Sequence, residues 1–202
     1  MSGDVQVRFC ERLGVKLPRA THLVILVDAH PRHAWLLKAV EKRLREELAT
    51  LAVEVNEEKT RIVDLAKGER FGFLGFDFCR VRSRKGAWRP QYTPKLKKRT
   101  ALLRTLKTIL RRSRSQPVKE VIQQINPILR GWVNYFAAGH ASRCFTYIRD
   151  WVEKKVRRHL MRNAKRRGFG WRRWRRAWLY DTLGLFDGYQ VHYRGATAVP
   201  AR

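Results

Sequence analysis

The chain has 202 residues, enough for one large domain or two small ones, and carries 45 Lys+Arg against 17 Asp+Glu, a formal charge of +28. With 44% apolar and 11% aromatic residues it can bury a core, which excludes pure disorder; the charge calls for a polyanion, and nucleic acid is the usual partner. The longest apolar run, Leu23 to Val27, is far short of the roughly 20 residues that a membrane span needs, so no membrane partner is expected. Met1-Ser2-Gly3-Asp4 shows no signal-peptide pattern, and the expected location is the cytoplasm. Cys10, Cys79 and Cys144 are odd in number and far apart, as expected of free thiols.

Charge is unevenly spread. Residues 1–79 hold 13 Lys+Arg and 12 Asp+Glu, whereas residues 80–202 hold 32 and 5. Two modules with different tasks are implied. In the first, Leu23–Val27 predicts a buried strand. Pro31 fits the first turn of a helix whose apolar face is Leu37, Val40, Leu44, Leu48 and Leu51. Leu51, Val53 and Val55 predict a half-buried strand, joined through the turn Asn56–Lys59 to a second strand at Thr60–Leu65 as a hairpin. Phe71, Phe73, Phe76 and Phe78, with Gly72 and Gly75 between them, predict one strand bulged near Gly75. Lys85-Gly86 predicts a hairpin between 80–84 and 87–91.

The second module reads as helical. Thr93-Pro94 predicts an N-cap and first turn, followed by the stripe Leu96, Leu103, Leu106 and Leu110. A second helix opens at Ser115-Gln116-Pro117 and carries Val118, Val121, Ile122 and Ile125. Pro127 cannot donate the helical hydrogen bond, so Asn126-Pro127 is expected to break that helix and start another. A last long helix is predicted from about Ser142 to Arg167, with Phe145, Ile148, Val152, Val156 and Leu160 inward. Such amphipathic helices with short breaks predict an antiparallel bundle.

Cations dominate the predicted outer faces. The candidate RNA-binding residues are Lys95, Lys97, Lys98, Arg99, Arg104, Lys107, Arg111 and Arg112, then Arg130 and Arg143. They continue with Lys154, Lys155, Arg157, Arg158, Arg162, Lys165, Arg166 and Arg167. Arg172, Arg173, Arg175 and Arg176 complete the set, interleaved with Trp171, Trp174 and Trp178 in what reads as a helix with one tryptophan face and one arginine face. Arginine pairs phosphates bidentately and its plane stacks on bases. The tryptophans are expected chiefly to anchor this segment on the bundle. Charge alone does not choose RNA over DNA.

Several segments resemble group II intron reverse transcriptase/maturases. Asn56-Glu57-Glu58-Lys59-Thr60 looks like a late-palm motif, and Phe73-Leu74-Gly75-Phe76 like the next one. Asn126-Pro127-Ile128-Leu129-Arg130-Gly131-Trp132-Val133-Asn134-Tyr135-Phe136 is very similar to the signature of the maturase-specific, or thumb, region. Leu183-Gly184-Leu185 with Tyr189 resembles the family's C-terminal finish. The resemblance covers about residues 18–195 in the family's order. It implies an α+β fold: a small residual palm β-sheet with one helix, followed by a basic antiparallel helical bundle. The expected divisions are an N-terminal segment at 1–17, a degenerate palm remnant at 18–92 and the maturase-specific domain at 93–202.

In such enzymes a Tyr-Ala-Asp-Asp box precedes the strand at 23–27. Here its slots hold Arg19, Ala20, Thr21 and His22. Two-metal polymerisation needs clustered carboxylates, so no DNA synthesis by this chain alone is expected. Asp28 and Asp64 lie off the motif. No nuclease pattern is visible after the maturase region, no metal or cofactor is expected, and the six histidines show no metal-ligand spacing with cysteines. The expected function is maturase-like binding of structured, intron-like RNA. The alternatives are the C-terminal subunit of a split reverse transcriptase, with a complementary chain supplying the aspartates, and a module repurposed for another ribonucleoprotein or for DNA.

Overall fold

The computed structural model describes the strand backbones at 5–11, 13–14 and 22–28 and the chain from 30 to 192. The fold is α+β, and the chain divides into two compact units at Tyr92/Thr93.

The described residues of the first unit form the strands β1 (Val5–Glu11), β2 (Leu13–Gly14), β3 (His22–Asp28), β4 (Glu54–Val55), β5 (Thr60–Asp64), β6 (Phe71–Phe73), β7 (Phe76–Arg82) and β8 (Trp88–Pro94, which crosses the boundary), and the helix α1 (Ala34–Thr50). They make three small sheets, ordered β3-β1-β5, β2-β4 and β6-β7-β8. The central strand β1 is antiparallel to both neighbours, with Val7 opposite Leu26 of β3 and Val63 of β5. The expected β4–β5 hairpin is therefore not formed. Strands contributed by residues 5–14 take the pairing positions instead, and the apolar/polar alternation of 51–65 carries no information about which partner each strand finds.

The helix and turn signals account for several details. His30 Nδ1 accepts a hydrogen bond from the Arg32 N–H and opens a 3-10 turn at Pro31–His33, which leads into α1. Along α1, Leu37, Val40 and Leu44 are half-buried and Leu48 is buried. The helix closes with Ala52 in the left-handed region (φ 52°) and the Val53 N–H bonded to the Leu48 carbonyl at 2.8 Å. This closure consumes Leu51 to Val53, so the expected strand begins only at Glu54 and Leu51 is left exposed. Asn56 shapes the next turn: its Oδ1 accepts from the Lys59 N–H, and its carbonyl accepts from the Thr60 hydroxyl. Leu26, expected to be buried, is 65% exposed; β3 is an edge strand, and Val27 is its buried residue.

The phenylalanine run is a hairpin rather than one bulged strand. Phe73 pairs with Phe76 across a two-residue turn in which Leu74 (φ 45°) and Gly75 (φ 81°) are both left-handed. The reversal sets Phe71, Phe78 and Tyr92 in a row across β6, β7 and β8, with ring centroids 4.9 and 5.4 Å apart. The second hairpin forms as expected, with Gly86 at φ 80° and the Ser83 N–H bonded to the Ala87 carbonyl.

The second unit is built on α2 (Leu96–Arg112), α3 (Val118–Phe136) and α4 (Ser142–Asn163), which pack on one another. β8 runs through Pro94, so Thr93 does not cap α2, and Leu96 is exposed; Leu102 and Leu106 carry the buried stripe. α3 runs unbroken through Pro127. The lost hydrogen bond is offset by packing, because the flanking Ile125 and Leu129 are completely buried. Asn126 points out of the helix: its Nδ2 donates to the Gly184 carbonyl at 2.7 Å and its Oδ1 accepts from the Phe186 N–H at 3.0 Å. On α4 all five expected inward residues are buried. The helix stops at Asn163, four residues early, where Lys165 turns left-handed (φ 52°) and the Arg166 N–H reaches the Met161 carbonyl.

The segment after α4 is not the helix expected at 171–178. It runs as turns into a single π turn at Trp178–Thr182. Its anchor is Glu153, buried on α4. Glu153 accepts from Arg157 Nη1 at 3.1 Å, from Arg176 Nε at 2.8 Å and from the Tyr180 hydroxyl at 2.7 Å. Burial works against the charge, but the three donors, together with the Arg176 charge, hold the carboxyl below the ordinary glutamate range.

Two stability predictions follow from these contacts. Leu74→Asn relieves a branched side chain at a left-handed position and is expected to stabilise the chain by about 0.5–1 kcal/mol, read from the urea midpoint. Glu153→Gln leaves Arg157 buried without its countercharge and is expected to cost about 3 kcal/mol or more. A lowered folded-state carboxyl pKa contributes stability above its unfolded value, about 4.3, and loses it as pH falls through the folded value. Urea melts between pH 7 and 3 therefore show a smaller acid loss in Glu153→Gln than in the parent.

Candidate nucleic-acid interface

The cationic side chains of the second unit follow from helix periodicity. Once Leu102 and Leu106 turn inward, with Leu103, Ile109 and Leu110 half-buried beside them, the polar residues left on α2 are all Lys, Arg and Thr. Lys107 and Arg111 lie four apart, and Arg114 follows three residues on, in the turn after the helix. On α4, Lys155, Arg158 and Arg162 are spaced by three and four. These six cations line one cleft of about 230 Å³, with Leu110 and His159 completing the wall. Among the described residues, no carboxylate lines it.

The cleft's electrostatics bear the mark of crowding. The Lys155 ammonium is pushed below the ordinary lysine range, first by burial and then by Arg158, Lys107, Lys154 and Arg162. His159 is buried at the cleft wall and also pushed down, first by burial and further by Arg162, against opposing hydrogen bonds to the backbone of Gln116 and Leu110. Its Nε2 lies 3.2 Å from Asn163 Nδ2.

The expected phosphate-contacting residues fall into several environments. Lys97, Lys98, Arg104, Lys107, Arg111, Arg112, Arg130, Arg143, Lys154 and Arg162 are exposed, as are Lys165, Arg166, Arg167, Arg172, Arg173 and Arg175. Lys95, Arg99, Lys155 and Arg158 are half-buried. The Arg99 guanidinium lies 4.3 Å from the Tyr147 ring centre, and Lys154 and Arg158 both sit over Phe169. Arg157 is a correction. It is only 2% exposed, pairs with Glu153, donates from Nε to the Trp174 carbonyl at 2.9 Å and lies over the Trp171 ring. It is a structural cation, out of reach of a phosphate backbone. Arg176 is exposed, but it is bound to Glu153 and, through Nη2, to Asp150 at 3.2 Å.

The tryptophans divide likewise. Trp174 and Trp178 pack against the core formed by Leu179, Leu183 and the helices, as expected of anchors, whereas Trp171 is 52% exposed. Sequence reasoning missed Arg114 and His159. Arg114 carried a usable signal, a spacing of seven from Lys107; His159 carried none, since its burial depends on the turn after α2.

In the first unit an apolar hollow of about 610 Å³ is lined by Leu26, Phe73, Trp88 and neighbouring apolar side chains, with Cys79, Arg80, Arg89 and Tyr92 also on its wall. Arg19, Ala20 and Thr21, which occupy the slots of the polymerase box, lie outside the described residues, as does Cys10's side chain. Cys79 and Cys144 are free thiols. Among the described residues, no helix is long and apolar enough to cross a membrane.

No curated protein matches the chain. Residues 99–178 match the family model of the group II intron maturase-specific domain. The match starts in the first turn of α2, covers α3 and α4, and ends where the π turn begins. The basic three-helix core of this chain thus matches the group II intron maturase-specific domain, as a maturase-family C-terminal region would.

Proposed function

We propose that this chain grips structured group II intron RNA through the cationic faces of its second unit and does so without polymerase activity of its own. One observation carries the reading: the segment that matches the maturase-specific domain includes both helices that line the acid-free cleft. The mechanism is binding rather than covalent chemistry. Compact RNA forces backbone phosphates together, and the Lys and Arg side chains of α2, α4 and the segment at 172–175 neutralise that repulsion. Splicing catalysis then belongs to the RNA. Arg19, Thr21 and His22 in place of the Tyr-Ala-Asp-Asp side chains support the lack of polymerase activity. In this reading residues 18–92 are a palm remnant, residues 93–202 are the binding domain, and the protein works on RNA in a prokaryote-like cytoplasm.

A second reading has a specific observation in its favour. The exposed apolar hollow of the first unit suits a complementary reverse-transcriptase chain that supplies the missing aspartates. Co-purification of a chain ending in a Tyr-X-Asp-Asp box, with primer extension by the pair, is its expected result.

The main test is pulldown from expressing cells, a wash at raised salt, and sequencing of the retained RNA. Recovery of one structured group II intron RNA is expected. Its affinity should fall with salt at a log–log slope of about −0.7 to −0.9 per phosphate contact. Ribosomal and messenger RNA retained in proportion to their abundance would leave a generic polyanion binder and remove the intron reading.

A further inference from the structure

The α2/α4 cleft differs in kind from the cationic surface around it. An exposed arginine keeps its own hydration and meets one phosphate. In the cleft, six cations from α2, the turn after it and α4 converge on about 230 Å³ without a carboxylate among them. Phe169 backs Lys154 and Arg158 from outside, and His159 closes the wall. The volume lies below the roughly 300–1,000 Å³ typical of pockets for drug-sized ligands, and the lining is chiefly cationic, which favours a small charged ligand. Leu110 is the one aliphatic residue in the lining, which disfavours an apolar ligand. Small, multiply charged oxyanions remain.

We propose that the cleft formed by Lys107, Arg111, Arg114, Lys155, Arg158 and Arg162 is a discrete oligophosphate site, which takes two or more phosphate groups held close together. A single phosphodiester brings one negative charge and leaves most of the repulsion in place; adjacent phosphates cancel it. Two sources offer that chemistry. One is a sharp turn or junction of RNA backbone, in which case the proposal deepens the RNA-binding reading and rests on it. The other is a free polyphosphate anion, which does not depend on that reading. In either case the helix spacing supplies specificity of shape, because Arg158 and Arg162 enter from one side and Lys107 and Arg111 from the other.

The test uses the full chain and inorganic tripolyphosphate. Calorimetric titration measures binding, and the ¹⁵N imidazole shifts of His159 report whether the anion sits in the cleft, since a nearby anion favours the charged imidazole. Two charge-matched triples are compared: Lys155→Gln/Arg158→Gln/Arg162→Gln in the cleft and Lys97→Gln/Lys98→Gln/Arg104→Gln on the open face of α2. Thermal melts confirm that both fold. The cleft triple is expected to weaken tripolyphosphate by about tenfold or more, while the open-face triple changes it less than threefold. A His159 titration midpoint that rises with tripolyphosphate is also expected.

If the cleft triple additionally weakens structured RNA far more than the open-face triple, RNA backbone is the source. If RNA affinity is equally insensitive to both triples while tripolyphosphate still depends on the cleft, the source is a free anion. In that case the site stands whether or not the chain proves to bind an intron. Equal loss of tripolyphosphate in the two triples, with no response at His159, would overturn the proposal and leave only net charge. That result would leave the RNA-binding reading untouched.

Discussion

The Glu153 carboxylate organises the second unit. It is buried in α4, and its three donors include two from a segment that forms no long helix of its own. A chain that runs as turns and one π turn leaves backbone groups without regular partners. The helices provide the missing partners: Arg157 donates to the Trp174 carbonyl, and Asn126 grips Gly184 and Phe186. Polar side chains on α3 and α4 thus do for this segment what a helical ladder would do. That role removes Arg157 from the cations available to a ligand, and it ties up Arg176, while leaving Arg172, Arg173 and Arg175 exposed.

A unit with so many unpaired cations must be held by something other than its charges. Leu106, Ile125, Leu129, Ile148 and Leu179 are completely buried, and this apolar contact opposes the mutual repulsion of the surface. Burial first, and then the repulsion of neighbouring cations, holds the Lys155 ammonium below the ordinary lysine range. A polyanion acts on the same term, so binding and stability are coupled in this unit: whatever fills the cleft relieves a cost that the folded chain otherwise bears.

What was legible in the sequence was periodicity and chemical sign. The inward residues of α4 follow from spacings of three and four, and the long acid-poor stretch after Cys79 from simple counting. What was not legible was partnership. Thr60–Asp64 reads as a strand, but its pairing with β1 instead of β4 depends on residues far away in sequence. Phe71–Phe78 reads as one extended run because Leu74 is a poor left-handed residue, and only the fold imposes that conformation. Asn126-Pro127 reads as a break because a local rule overlooks the packing on either side, and the Asn that seemed to terminate a helix instead anchors a segment some sixty residues on. Arg157 was misplaced for a similar reason, since one turn of helix separates a buried cation from an exposed one and the charge itself is the same.

The contrast between α1 and α2 shows why sign purity is informative. Both are 17-residue helices with a half-apolar face. α1 mixes Lys38, Lys42, Arg43 and Arg45 with Glu41, Glu46 and Glu47, and its charges pair internally, Arg45 with Glu41 and Arg43 with Glu47. Such exposed pairs contribute little, but they leave the helix close to neutral, with four cations against three carboxylates. α2 has seven Lys and Arg and no acid. A merely solvated surface has no reason to exclude glutamate, which forms helices well and would add favourable pairs at a spacing of four. α2 shares the cleft with α4, whose Asp150 and Glu153 lie outside the cleft lining, and in the proposed reading a bound polyanion supplies the negative charge that the lining lacks.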